Sequence, residues 1–303
     1  MAIILQENTR VLIQGMTGKF GSYHSAAMLA YGTKIVAGVT PGKGGTTVNE
    51  LPIYDDVAVA VAETGANTSA ILVPAPFVKD AVFEALDAGI TTLICLVEGV
   101  PVKDTIMMRK RLIDEQALMI GPNSPGIISP GIGVVGFMPG HIYRPGPVGI
   151  VSRSGTFSYL VADNLSKAGL GQSTTLGIGG DPISGISYEQ VLDKFQDDAE
   201  TKVIVMVGEI GRTSEEEAAG YIQQRIKKPV VAMVLGHTAP PGKQMGHAGA
   251  IITAGKGNYA TKVEALQAAG ISVVKTMPEL VQTVQATLKN KNNYLKRGVY
   301  PCG

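Results

Sequence analysis

Short apolar runs punctuated by glycine and proline set the rhythm of this chain. Residues 203–207 and 230–235 are continuous, rich in β-branched side chains and close to Gly or Pro. That is the pattern of strands buried on both faces, and each run is far too short to cross a membrane. In the first half, strands are predicted at 10–14, 34–39, 69–73, 91–96 and 118–120. Helices are predicted between them at about 18–31, 57–63, 78–88 and 103–115. The second half restarts the alternation, with strands at 148–152, 173–178, 203–207, 230–235 and 272–274. Its helices are predicted at about 155–168, 188–195, 214–226 and 260–269 and from 278 onward. Strand and helix alternating in this way give an α/β fold: a Rossmann-like doubly wound domain followed by a flavodoxin-like doubly wound one. The Gly- and Pro-loaded stretch at 121–147 reads as functional loop and linker, so the domains are expected at 1–146 and 147–289. The polar, cationic end at 290–303 reads as a mobile or docking tail.

Composition narrows the class of partner. With 303 residues the chain has room for two cores. Its 26 basic and 25 acidic residues are scattered, without the basic face of a nucleic-acid binder, so neither nucleic acid nor membrane is an expected partner. Two cysteines, Cys95 and Cys302, suit a reducing compartment, and the start lacks the character of a signal or transit peptide. A cytoplasmic location is the expectation, and no metal site is expected.

The first strand runs into Gly15-Met-Thr17-Gly18-Lys19-Phe20-Gly21, a glycine turn opening a helix, where free backbone N–H groups and the helix dipole hold phosphate. A NAD site usually ends its second strand with an acid for the ribose hydroxyls. Here that strand ends in a turn carrying Lys43 instead, which suits a phosphorylated ribose. CoA satisfies both features, and NADP satisfies the same charges. Two further loops lie where doubly wound sheets bind ligands, at strand ends: one at 73–77, the other at 96–101 with Leu96, Val97 and Glu98. Glu98 accepts a hydrogen bond from an adenine or amide there, or simply caps the following segment.

There are four histidines, and His247 alone is flanked by glycine and alanine, in MGHAGAII. Small neighbours leave space for a large group on the ring, and a neutral imidazole can accept and carry a phosphoryl group. Such a ring needs its other nitrogen fixed, and Glu209, ending a buried strand in the same half, is the candidate orienter, a helix-start residue favoured by the next helix's dipole being the alternative. Ser154 and Gly155, at the start of a helix after the strand 148–152, offer a hydroxyl and N–H groups for the phosphate, N-capping being the alternative.

These segments together, GMTGKFG, TPGKGGTT, VPAPF, GPNSPGIISPG, MPGHI, GIVSRSGTFSY, GIGGDPI, GEIG, EEEAA and MGHAGAII, resemble the alpha subunit of succinyl-CoA synthetase in unbroken order over residues 3–288. The resemblance implies a CoA site at Thr17, Gly18, Lys19, Phe20, Lys43 and Leu96 to Glu98, and a phosphorylated His247. It implies that Tyr159 is a substrate-side residue near a subunit interface, and Asn123 and Ser124 are assigned to the substrate with it. It further implies an ATP-grasp beta subunit, in αβ or α2β2 assembly, that binds ATP or GTP with Mg²⁺. The substrate would be a small carboxylic acid, activated through phosphohistidine and acyl phosphate before CoA attacks, with the His247 segment swinging between sites.

Where that family commonly has GPNCPG, SGTLTYE and GEIGG, this chain has Ser124, Leu160 and Arg212. Loss of an acid at Leu160 and gain of cations at Arg212 and His237 point toward a more highly charged acid. An exposed Arg212 serving only solubility is the other reading. The expectation is therefore a succinate–CoA ligase alpha subunit, with the small subunit of a citryl-CoA synthetase or malate–CoA ligase as the alternative. A non-enzymatic CoA- or NADP-sensing module is the rival from another class.

Overall fold

The computed structural model describes residues 2–240, 244–252 and 257–297, with side chains as far as residue 290. The first half forms β1 (Val11–Gln14), α1 (Lys19–Ala30), β2 (Ile35–Val39), β3 (Thr47–Val48), β4 (Leu51–Tyr54), α2 (Val57–Thr64), β5 (Thr68–Ile71), α3 (Val78–Asp87), β6 (Thr92–Cys95), α4 (Val102–Asp114) and β7 (Leu118–Ile120). They make a sheet of order β3-β4-β2-β1-β5-β6-β7. Its parallel strands, taken in chain order, follow the 3-2-1-4-5-6 arrangement of dinucleotide-binding folds, with a crevice where the order reverses beside β1. The pair β3 and β4 falls in a stretch where no strand is predicted; Pro52 is tolerated at the sheet margin, where β3 pairs with β4 over two residues only.

The stretch at 121–147, expected as loop and linker, contains a hairpin of β8 (Gly126–Ser129) and β9 (Gly133–Gly136). β8 pairs antiparallel with β11 (Gln172–Gly177), so the hairpin extends the second sheet, not the first. The two sheets therefore divide between residues 120 and 126, ahead of the expected boundary near Pro147. Glycine is what makes this hairpin legible only in three dimensions. Gly126 and Gly136 sit at φ +97° and +139°, and a Cβ on either would stand 2.0 Å from Val135 O or 2.2 Å from Pro125 O. The residues that look like loop punctuation allow two strands to touch.

The second sheet is completed by β10 (Pro145–Ser152), α5 (Gly155–Lys167), β11, α6 (Tyr188–Asp197), β12 (Val203–Glu209), α7 (Ser214–Arg225), β13 (Val230–Leu235), α8 (Tyr259–Ala268), β14 (Ser272–Val274) and α9 (Met277–Arg297). The order is β14-β13-β12-β10-β11-β8-β9. Without the hairpin it is the flavodoxin-like 2-1-3-4-5, as the sequence implies. One buried apolar cluster runs from Ile13 and Ile94 of the first sheet and Met28 of α1, through Ile128 and Val135 of the hairpin, to second-sheet residues such as Ile150 and Val205. The other face of the first sheet has its own cluster with α2, α3 and α4. The segment expected as a tail from 290 is helical to Arg297 as the end of α9, and 298–303 lie outside the described residues. Among the described residues no helix is long and apolar enough to cross a membrane.

Candidate active site

His247 lies where the C-terminal ends of the two sheets meet. Its Nδ1–H donates to Glu209 Oε2 at 2.8 Å, at the last residue of β12. The hydrogen bond to Glu209 raises the imidazole pKa, and partial burial works against it. With Nδ1 engaged, Nε2 is the nitrogen left to react. The ring rests on Gly180, where a Cβ would stand 2.6 Å from His247 Cγ, so only glycine admits the imidazole.

Behind Glu209 runs a row of alternating buried charges. Glu209 Oε1 is 3.2 Å from Arg153 Nη2, and Arg153 Nη1 is 3.2 Å from Glu215 Oε1. Glu215 in turn pairs with Lys262 of α8, whose Nζ also lies 2.9 Å from Glu216 Oε2. Arg153, Glu215 and Lys262 are all at most 1% exposed. Burial alone would raise the Glu215 carboxyl, but Arg153 and Lys262 outweigh it and hold it below its ordinary value. Arg153 Nη1 also donates to Glu209 O at 3.1 Å and Gly211 O at 2.9 Å, tying the end of β12 to the start of α5.

In front of His247 opens a cleft of about 430 Å³. It brings together Phe20, Leu96 to Glu98, Asn123, Gly155, Tyr159 and His247. Burial pushes the Tyr159 phenol up to about 12, so it stays protonated. An apolar chamber of about 550 Å³ adjoins the cleft through Val73, at the switch point beside β1, β2 and β5. At its rim α1 begins with no side-chain cap and no acid in its first turn, an anion-ready helix end. Thr17 Oγ1 is 3.2 Å from Thr40 Oγ1, which joins the glycine turn to the turn bearing the exposed Lys43. A chamber for an apolar ring, an uncapped helix start with a nearby lysine, and a channel to the imidazole suit an adenine, phosphates and a thiol-bearing arm in that order.

Not every expected residue is used as expected. Ser124 lines the cleft, but its hydroxyl donates to Gly177 O at 2.6 Å and accepts from Gly126 N at 2.9 Å, so it holds the hairpin. Ser154 Oγ caps α5 by accepting from Phe157 N at 3.5 Å, and it is Thr156, beside Gly155, that faces the cleft. Arg212 is neither exposed nor in the cleft: Nη2 donates to Gly179 O at 3.1 Å. His237 stacks edge-on toward Tyr259, with ring centroids 5.9 Å apart. Neither residue lines the cleft in front of His247. Of the loop before His247, residues 241–243 lie outside the described residues.

Sequence reading missed Arg153, Glu215, Lys262 and Asp181. Asp181 accepts from Asn123 Nδ2 at 3.0 Å, and burial raises its pKa. Asn123, at φ +53°, also passes backbone bonds from Val97 O, 2.8 Å from its N, to Gly180 N, 3.1 Å from its O. The only linear signal for Arg153 was a charged residue between two serines at the end of a buried strand.

Comparison with known proteins gives each half of the chain a family match. A family described as a CoA binding domain matches residues 6–99, and one described as CoA-ligase matches residues 151–272. An alpha subunit 2 of an ADP-forming succinate–CoA ligase from Archaeoglobus fulgidus is 57% identical over 288 residues, covering 95% of this chain and all of that one. The corresponding alpha subunit from Aquifex aeolicus is 53% identical over 291 residues, 95% of each chain. Among solved structures, an ATP citrate lyase from Methanosaeta concilii with citryl-CoA shares the fold at a TM-score of 0.88 and 24% identity. The match takes in 99% of this chain but 52% of that one, so this chain spans about half its length.

Proposed function

The chain belongs to the family of succinate–CoA ligase alpha subunits, and from that premise we propose that it forms succinyl-CoA reversibly from succinate, CoA and ATP or GTP through a phosphate carried on His247. The carrying observation is the 2.8 Å bond from His247 Nδ1 to Glu209. It fixes the tautomer that presents a basic Nε2 to the cleft. Nε2 attacks the terminal phosphorus of the nucleotide while the bond to the diphosphate breaks. Succinate oxygen then displaces the imidazole from phosphorus, giving an acyl phosphate whose leaving group is phosphate instead of oxide. CoA sulfur attacks the acyl carbon, the thiol proton passes to the departing phosphate, and Tyr159 donates to the acid end. The uncapped start of α1 and the Gly155–Thr156 start of α5 hold negative charge at the two ends of this path.

CoA is assigned to the first sheet, through Thr17 to Phe20, Lys43 and Leu96 to Glu98, and the phosphorylated histidine to the second. Nucleotide and Mg²⁺ are assigned to an ATP-grasp beta subunit in αβ or α2β2 assembly. What favours succinate over citrate or malate is that the Arg212 guanidinium bonds to Gly179 O, away from the cleft. A purely sensing module has no use for a carboxylate held against a half-exposed imidazole.

The test is incubation of the assembled enzyme with γ-labelled ATP or GTP. Wild type should carry acid-labile, base-stable label, lost on chase with succinate and CoA, and His247→Asn should carry none. Label on His247→Asn would end the carrier role. Equal turnover with citrate or malate in place of succinate would end the substrate assignment.

A further inference from the structure

Arg212 occupies a position built for glycine. Its φ of +54° lies in the left-handed region, which a long L side chain adopts only where its contacts hold it. The side chain turns inward, and burial together with the neighbouring Arg153 cation lowers its pKa to about 10. Nη2 donates to Gly179 O at 3.1 Å and Nη1 reaches Pro182 O at 3.5 Å. At the other end its main-chain O accepts from Lys262 Nζ at 3.0 Å. The guanidinium thus spans from the start of α7 to the loop 179–182 after β11.

That loop is the seat of His247. Gly180 packs under the imidazole, and Gly180 O accepts from Gly249 N at 3.0 Å. Arg212 Nε is 3.3 Å from where a Cβ on Gly249 would stand, so the guanidinium also backs the segment 244–252 directly. A cavity of about 590 Å³ adjoins Arg109, Arg153 and Arg212 and invites an anion reading. Glu189 and Glu217 line the same cavity, so its lining carries both signs of charge and singles out no anion site.

We infer that Arg212 is a positioning residue that clamps the loop 179–182 against the His247 segment and so holds the imidazole seated on Glu209. In its kinetic consequence this rests on the phosphohistidine reading: a tighter seat slows departure of His247 toward the nucleotide and favours transfer to the acid and CoA. The seating itself does not depend on that reading.

Arg212→Gly removes the clamp while relieving the backbone, and Arg212→Lys keeps the charge but loses the two-point bond. In the assembled enzyme, amide exchange of the peptide 244–252 should speed up about tenfold in Arg212→Gly, the size expected on losing charge-assisted hydrogen bonds. Arg212→Lys should fall between the two, and peptides from β12 and β13 should be unchanged. Label uptake by His247 from γ-labelled nucleotide should hold or rise, while succinate- and CoA-dependent loss of label slows. Unchanged exchange of 244–252 in Arg212→Gly, or acceleration spread evenly over the whole chain, would overturn the proposal. Were wild type to take no label, the carrier reading would fail, and the exchange of 244–252 would still decide the role of Arg212.

Discussion

At His247 one hydrogen bond has two consequences of opposite sign. The Glu209 partner raises the imidazole pKa. Stability from that pair is therefore fully present below the ordinary histidine pKa and fades as pH rises through the raised value. The nucleophile, however, is the neutral ring, so phosphorylation gains where the pair loses. Glu209→Gln should shift the acid limb of the His247 phosphorylation rate to lower pH and also slow the plateau, since the tautomer is no longer fixed. A pH–rate profile of single-turnover labelling reads both, and an unmoved acid limb would exclude Glu209 as the cause. Lys262 tests the row behind it. Lys262→Met leaves Glu215 buried with one cation fewer, which should cost about 3 kcal/mol or more in denaturant unfolding. The loss should deepen with rising pH through the Glu215 titration, because the depressed carboxyl contributes stability above its ordinary pKa.

Elements show where sequence patterns carry meaning and where they stop. The buried parallel strands and the helices between them were legible, since β-branched runs and glycine turns are local properties. The β8–β9 hairpin was not. Its glycines read as loop, and the contact that requires them, Gly126 against Val135 and Gly136, exists only once the strands pair. Likewise His247 and Glu209 could be named from flanking residues and a strand end, whereas Arg153, Glu215 and Lys262 could not, because charged residues read as surface until their partners are placed. Gly126→Ala puts a Cβ into Val135 O at φ +97° and should destabilise the chain by about 2 kcal/mol or more. It should also raise the KM for CoA, because Ser124 and Pro125, which line the cleft, anchor the same hairpin. Thermal melts and CoA titrations measure the two effects separately.

For the whole molecule, the continuous apolar cluster makes the two sheets one cooperative body. Thr33, just after α1, fastens them further, with Oγ1 donating to Val134 O at 2.6 Å and accepting from Val134 N at 2.9 Å. Thermal unfolding should thus give a single transition, with calorimetric and van't Hoff enthalpies in agreement. Two separated transitions would show that the halves melt independently. A fragment of residues 1–146 should not bind CoA as the full chain does, because its hairpin lacks β11 to pair with.

The same hairpin gives the order of synthesis a physical meaning. A chain leaving the ribosome completes its first sheet by residue 120, yet the face carrying Ile13, Met28 and Ile94 stays bare until the hairpin and β10 to β12 have followed. At about 5–20 residues per second the remaining stretch takes several seconds to emerge. For that interval the nascent first half presents to water an apolar face that the finished molecule hides.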